Sequence, residues 1–216
     1  VITRFNGSGV SITASASDVK VAGNYFGRIG ADGSFQPITH QLAGNAVRVI
    51  GPRATIGGSA PADRNVIVGL TNGAVFLSAV TATDATIRGN WIGVMPDGLT
   101  AHGEVQTAVT ASAAVANLTI GGPGANDGNW IASTTNSGIS LNRSGANLLI
   151  EGNRIGTDAS GTLNWGAGRS GIETYLSEGG LIRNNVIAFN DWAGIDHRSG
   201  SLAFLGNLIY GNARIG

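Results

Sequence analysis

The sequence lacks several residue classes that mark particular kinds of protein. It contains no cysteine, which excludes a disulfide framework and a thiolate metal site. Only 5 of the 216 residues are proline, so the chain is neither collagen-like nor a proline-rich linker. Charged residues make up 12%, and the 13 basic side chains balance the 13 acidic ones. No basic field is therefore available to bind nucleic acid.

Long apolar runs are missing as well. No run approaches the roughly 18 residues that a membrane-spanning helix needs, so we predict no membrane span. The opening residues, VITRFNGSG, do not resemble a signal peptide, and a secreted form would have lost its signal or carry it outside this sequence. Glycine is abundant, with 35 residues, beside 42% hydrophobic residues. Such a composition suits many tight turns around an aliphatic core.

An internal repeat organises these residues. A corner centred on asparagine recurs seven times, in Gly23-Asn24-Tyr25-Phe26, Arg64-Asn65-Val66-Ile67, Gly89-Asn90-Trp91-Ile92, Gly128-Asn129-Trp130-Ile131, Gly152-Asn153-Arg154-Ile155, Asn184-Asn185-Val186-Ile187 and Gly206-Asn207-Leu208-Ile209. A second apolar signature alternates with it, beginning at Gly9, Ala46, Ala74, Ala108, Gly138, Gly171 and Gly194. Because 66 residues separate Asn24 from Asn90 and 63 separate Asn90 from Asn153, long and short coils alternate.

The repeats predict the fold. Each signature alternates with period two over four or five residues, which is typical of a β-strand, and no window has a helical apolar stripe. Short strands between Gly, Asn and Asp turns predict one all-β domain over residues 1–216, a parallel β-helix of about seven coils. Two apolar ladders should fill its interior, one from Val10 to Ile195 and one from Phe26 to Ile209. The asparagines should stack from coil to coil at a corner.

Two outward positions flank each asparagine. The residue two places before it predicts ion pairs between neighbouring coils at Asp63–Arg88, Arg88–Asp127 and Glu151–Arg183. The residue just after it is mostly large and apolar, as at Tyr25, Trp91 and Trp130. Either the inserted loops cover this stripe, or it is an exposed aromatic surface for a sugar or a protein. Tyr25, Trp91 and Trp130 are therefore the candidate ligand-binding residues.

One place could supply catalytic carboxylates. Glu173 and Asp196 occupy the same outward position on adjacent coils, which would place their carboxylates about 5 Å apart. Like charges at this distance would raise one pKa, as an acid catalyst requires. His197 follows Asp196, but the alternation points it inward. The alternative is two solvated carboxylates and a polar side chain near the end of the rod.

Three insertions follow the asparagine corner in the long coils, and each contains an Asp turn, at Asp32, Asp97 and Asp158. Each loop offers one or two carboxylates where a calcium site would need several, so Ca²⁺ stays an open alternative and no other cofactor is predicted. His40 and His102 occupy equivalent loops and lack a third ligand at metal spacing. We interpret both as ordinary loop residues.

The motifs GNRIGTDASGT (Gly152 to Thr162), TIGG, GNWI and GIETY resemble the right-handed parallel β-helix repeats of large secreted bacterial surface proteins. The resemblance implies a non-enzymatic, extracellular or cell-surface module that is structural or adhesive. Its partners would be polysaccharides or other surface proteins. Neither end contains a capping helix, so we expect a segment of a longer rod or a subunit that stacks end to end. A polysaccharide lyase or glycoside hydrolase is the alternative function.

Overall fold

A computed structural model of the protein describes residues 1–37 and 43–214. Across these residues the chain forms three parallel sheets of seven strands each and one short 3-10 helix, Pro61–Asp63. Each turn of the chain gives one strand to each sheet, so that neighbouring strands in a sheet belong to successive coils. The fold is a parallel β-helix of seven coils, which confirms the prediction from the repeats.

The strands are short because each face of the helix is only a few residues wide. The first sheet contains Val10–Ile12, Val47–Val49, Val75–Leu77, Val109–Ala111, Ile139–Leu141, Ile172–Thr174 and Ile195–His197. The second contains Lys20–Val21, Thr55–Gly57, Thr86–Arg88, Thr119–Gly121, Leu148–Glu151, Ser177–Arg183 and Gly200–Leu205. The third contains Tyr25–Gly27, Val66–Val68, Trp91–Ile92, Trp130–Ile131, Arg154–Ile155, Val186–Ala188 and Leu208–Tyr210.

The core lies along the axis and consists of three aliphatic ladders. The two predicted ladders are in register: Val10 pairs with Val47 in the first sheet, and Phe26 pairs with Ile67 in the third. The second sheet adds a ladder formed by Val21, Ile56, Ile87, Ile120, Ile150, Ile182 and Phe204. Side chains in the middle coils are fully buried, since each coil covers the next.

The asparagine ladder runs without a break between the second and third sheets. The Nδ2 of each asparagine from Asn24 to Asn185 donates to the Oδ1 of the next one, at 2.9 to 3.3 Å. From Asn65 onward each Nδ2 also donates to a carbonyl of the preceding coil, such as Asn129 to Ile87 at 2.8 Å. The amides thus satisfy buried backbone groups where the strands turn, and the predicted stack is confirmed.

Of the three predicted ion pairs, one is confirmed. Arg183 lies in register with Glu151, with its Nε 2.8 Å from Glu151 Oε1. Arg88 forms no direct ion pair with Asp63 or Asp127 in the described residues, since it lies in register with Gly57 of the preceding coil. Its charge still helps to lower the pKa of Asp127, after the hydrogen bond from Ser59. Asp63 belongs to a segment inserted before the asparagine and pairs with Lys20 at 2.8 Å. Register follows the strands, and an inserted segment removes a residue from it.

The three long insertions all leave the third sheet at the same side of the rod. Each is closed by one antiparallel bridge, between Ile29 and Phe35, Val94 and Ala101, and Thr157 and Asn164. The first two loops fold back over the outer face of the sheet. There Ile29 and Met95 bury Val66 and Val68 in a small second core, against which Tyr25, Phe35 and Trp91 pack.

The two ends of the rod differ, although the sequence predicted neither to be capped. At the N-terminal end Ile2 pairs with Phe26, and Ile2 and Phe5 pack against the core. At the other end Phe204, Ile209 and their neighbours are 43 to 57% exposed. Among residues 43–214 the strands of the last coil pair on one side only, and their apolar side chains are uncovered.

Candidate functional site

The register places Glu173 and Asp196 side by side, as the sequence predicted. Glu173 is nevertheless buried, and its oxygens accept hydrogen bonds from Ser137 Oγ at 3.1 Å, Tyr175 Oη at 2.9 Å and Arg198 Nη2 at 2.9 Å. Arg198 also donates to Asp196 Oδ2 at 2.9 Å. The two carboxylates therefore share one guanidinium instead of facing each other across an open gap.

The surroundings of this pair are those of a structural network. Arg198 lies 4.5 Å from the centroid of the Tyr175 ring and covers it, and its hydrogen bond to Asp196 raises the pKa of the guanidinium. Burial, followed by the hydrogen bond to Glu173, raises the pKa of Tyr175. These groups hold one another in place, and each is used in a contact within the protein.

His197 points inward, as predicted, and away from Glu173. Its Nδ1 lies 2.9 Å from the hydroxyl of the fully buried Thr174, and its ring packs edge-on against Phe204. It lines the open C-terminal end of the core with Ile195 and Ile209. Of the three residues in the catalytic hypothesis, Glu173 and Asp196 thus lie on the outer face of the first sheet and His197 on its inner face.

The aromatic stripe is half-buried beneath the loops. Trp91 and Trp130 meet edge to face with their centroids 5.2 Å apart, and Trp165 stacks on Trp130 at 5.6 Å. Trp130 Nε1 donates to the carbonyl of Thr157 at 2.7 Å. This arrangement fits the loop-covered alternative for Trp130, since loop residues occupy its hydrogen-bonding edge and one ring face.

Tyr25 and Trp91 remain accessible in a cleft of about 280 Å³ at the rim of the stripe. The other walls come from the inserted segment before Asn65 and from the second long loop, mainly Pro61, Arg64 and Pro96. The Arg64 guanidinium lies over the Trp91 ring, with its Cζ 4.0 Å from the centroid. The cleft therefore combines two aromatic side chains with a stacked cation.

Arg64 was missing from the residues predicted from the sequence, although a signal was present. The position before the asparagine is Gly or Asn in the six other corners. In several of these corners the backbone is left-handed, as at Gly152 with φ +69°. The inserted segment changes the path of the chain, and Arg64 enters the corner at φ −60°. An ordinary backbone angle permits a long side chain there, which reaches over the next coil.

The Asp turns of the three loops have their own partners. Asp158 accepts hydrogen bonds from the backbone of Ser160, Thr162 and Leu163 and from the Ser160 hydroxyl. Asp97 similarly accepts from Leu99 and Thr100. These bonds lower the pKa of both carboxyls, chiefly through the Ser160 hydroxyl for Asp158 and the Leu99 amide for Asp97.

The described residues contain no preformed cluster of metal ligands. Residues 1–37 and 43–214 contain no group of three or more His, Asp or Glu side chains that could hold an ion. His102 stacks on Phe35, with the ring centroids 3.8 Å apart. His40 lies outside the described residues. Calcium binding by the Asp loops therefore stays a prediction without a preformed cluster.

Within the same residues no helix is long and apolar enough to cross a membrane. Comparison with known proteins supplies no relative from which a function could be carried over. No family model matches the chain, and neither a curated protein nor a solved structure matches it.

Proposed function

We propose that this chain is a non-enzymatic β-helix module of the cell surface that binds a glycan in the cleft between Tyr25 and Trp91. The Tyr25 ring, accessible beside Trp91 in that cleft, carries the proposal. Aromatic rings present an apolar face beside a polar edge, which matches the alternating CH and OH surface of a sugar. The rigid rod holds the cleft in place, because the second core beneath it packs against Tyr25 and Trp91.

The state of Glu173 favours a binding role over catalysis. Its carboxylate is buried and each oxygen accepts a hydrogen bond from the protein, so it is not presented to a glycosidic bond. We expect no cleavage of polysaccharides by the chain. Cleavage by the wild type would contradict the proposal, and its loss in Glu173→Gln would identify Glu173 as the catalyst. Equal cleavage by both proteins would place the catalyst elsewhere.

Glycan binding is tested on an oligosaccharide array followed by calorimetry. We expect binding by the wild type, a loss of at least about tenfold in Tyr25→Ala, and a smaller loss in Trp91→Ala, whose ring supports the cleft. Trp192→Ala is the matched control, since Trp192 is 39% exposed and stacks with Arg214 away from the cleft. Equal losses in Trp91→Ala and Trp192→Ala would contradict a site in the cleft.

We also propose that two copies of the chain associate through their C-terminal ends. The observation in favour is the contrast between a covered N-terminal end and an uncovered apolar face formed by Phe204, Leu205, Leu208 and Ile209. Open strand edges beside an apolar patch favour pairing with another chain. Two identical faces can meet around a two-fold axis.

A further inference from the structure

Arg64 is a cation without an anionic partner in the described part of the chain. Its side chain forms no ion pair or hydrogen bond there, and its Nε is buried without an acceptor. The neighbouring carboxylate, Asp63, is already paired with Lys20 at 2.8 Å. Burial lowers the pKa of the guanidinium, which means that the charge lacks compensation. A hydrogen-bond acceptor on a ligand would compensate this charge.

Stacking on Trp91 fixes how Arg64 can be approached. With Cζ 4.0 Å above the indole centroid, one face of the guanidinium is covered and the corresponding face of Trp91 is not open to a sugar ring. The N–H groups of a guanidinium lie in its plane, and the two Nη groups of Arg64, unlike its Nε, are not buried, so the edge that they form remains free to donate. A planar carboxylate meets that edge with two parallel hydrogen bonds. The ligand ring would then lie against Tyr25.

Building on the glycan-binding function proposed above, we infer that the cleft binds a carboxylate-bearing sugar residue whose carboxylate pairs with Arg64. A neutral sugar would fill the cleft but leave the guanidinium uncompensated. The volume of about 280 Å³ lies at the lower limit of ligand pockets, which fits one sugar ring. The occupant is therefore a single acidic residue, at the end of a glycan chain or on a branch.

The next two-coil unit along the rod does not repeat this cleft. Gly128 takes the place of Arg64 before the asparagine, and Arg154 takes the place of Trp91 after it. Arg154 Nη1 donates to the carbonyl of Asp158 at 3.0 Å, so this cation already has a partner. In the third unit Asn184 and Leu208 stand at these two places, so the described residues form one such cleft.

The test compares acidic oligosaccharides with their methyl esters, which keep the ring and lose the charge. Galacturonate, glucuronate, mannuronate and sialylated probes are titrated into the wild type, Arg64→Leu and Arg64→Lys. We expect at least one acid to bind the wild type at least about tenfold more tightly than its ester. Arg64→Leu should abolish this preference. Arg64→Lys should keep part of it, since lysine retains the charge without the planar fork.

Controls separate this inference from the general glycan-binding proposal. Arg48→Leu removes one exposed arginine from the first sheet, and it should leave the preference intact. Equal wild-type affinity for acids and esters would overturn the inference while glycan binding stands. No glycan binding at all would overturn both. Tighter binding of sulfated probes than of carboxylated ones would overturn the carboxylate assignment, and an equal loss in Arg48→Leu would overturn the assignment to Arg64. Unchanged thermal unfolding shows that each variant is folded.

Discussion

At the scale of single residues, each asparagine in the interior of the ladder connects three coils. Asn129 donates to Ile87 in the coil before it and to Asn153 in the coil after it, and its Oδ1 accepts from the backbone and side chain of Asn90. Asn24, in the first coil, donates only to Ala22 and Asn65. The same residue type therefore contributes more in the middle of the rod than at its end.

We predict that Asn129→Ala lowers the free energy of unfolding by about 3 kcal/mol, because the buried backbone N–H of Asn90 loses its acceptor and the carbonyl of Ile87 loses the Asn129 donor. Asn24→Ala, the matched variant at the end of the ladder, should cost about 1 kcal/mol or less. Urea unfolding followed by circular dichroism measures both. Equal costs would mean that the interior ladder satisfies no more backbone than its terminus.

Asp158 predicts a response to pH that is confined to its loop. The pKa of its carboxyl is lowered below the ordinary value of 3.8 because the folded loop donates hydrogen bonds to the ionised form. The contribution to loop stability is thus complete above pH ~4, and is lost as the pH falls through the lower folded value. The protection of the Thr162 and Leu163 amides, measured as their exchange rate relative to the intrinsic rate at each pH, should fall in acid.

Asp158→Asn provides the control for this pH dependence. The amide keeps one acceptor oxygen but cannot ionise, so the loop should exchange faster at neutral pH and lose its acid response. Exchange at the Asn129 amide, which belongs to the ladder, reports global unfolding. An equal loss of amide protection in acid at Asn129 and at Thr162 would show that the whole rod opens instead of the loop.

At the scale of elements, a glycine ends several strands because the next coil approaches there. Gly121 has φ +88°, and a Cβ at this position would collide with the carbonyl oxygen of Glu151 in the following coil. Gly57 is in the same situation beneath Arg88. The TIGG motif occurs twice, and in both places its first glycine allows a strand to turn and pass close to the neighbouring coil.

Three alanine substitutions separate the backbone cost from the steric cost. Gly7→Ala meets no atom within 4 Å and should change stability by less than about 0.5 kcal/mol. Gly179→Ala, at φ +92° in open space, should cost about 1–2 kcal/mol for its backbone alone. Gly121→Ala should exceed about 3 kcal/mol, since the coils must move apart. Similar urea midpoints for Gly121→Ala and Gly179→Ala would contradict a steric contribution.

The same scale explains which features were predictable from the sequence. Period-two alternation follows the inward positions, so the ladders through Phe26 and Val47 could be predicted before the structure was known. The pairing of Arg88 could not, because the inserted segment containing Asp63 breaks the link between distance from the asparagine and register. The burial of Glu173 escaped prediction for another reason: Tyr175 and Arg198 cover it from the outer face, where alternation carries no information.

At the scale of the whole molecule, the two ends should behave differently in solution. Residues 1–9 supply Ile2 and Phe5 as a cover for the first coil, whereas Phe204 and Ile209 of the last coil stay 43% and 46% exposed. A head-to-tail contact would place one apolar face against a covered one and would repeat without closing. A contact between two C-terminal faces buries both and closes as a dimer.

We therefore predict that the chain forms a dimer whose mass does not grow further with concentration, as measured by analytical ultracentrifugation. Ile209→Lys should abolish it, because a charge would be buried against an identical apolar face. Val1→Lys is the matched change at the other end, where Val1 is 58% exposed, and it should leave the dimer intact. Because only a head-to-tail contact uses both ends, a loss of association in both variants, or filaments that lengthen with concentration, would contradict the two-fold arrangement. A monomer at every concentration would contradict association itself.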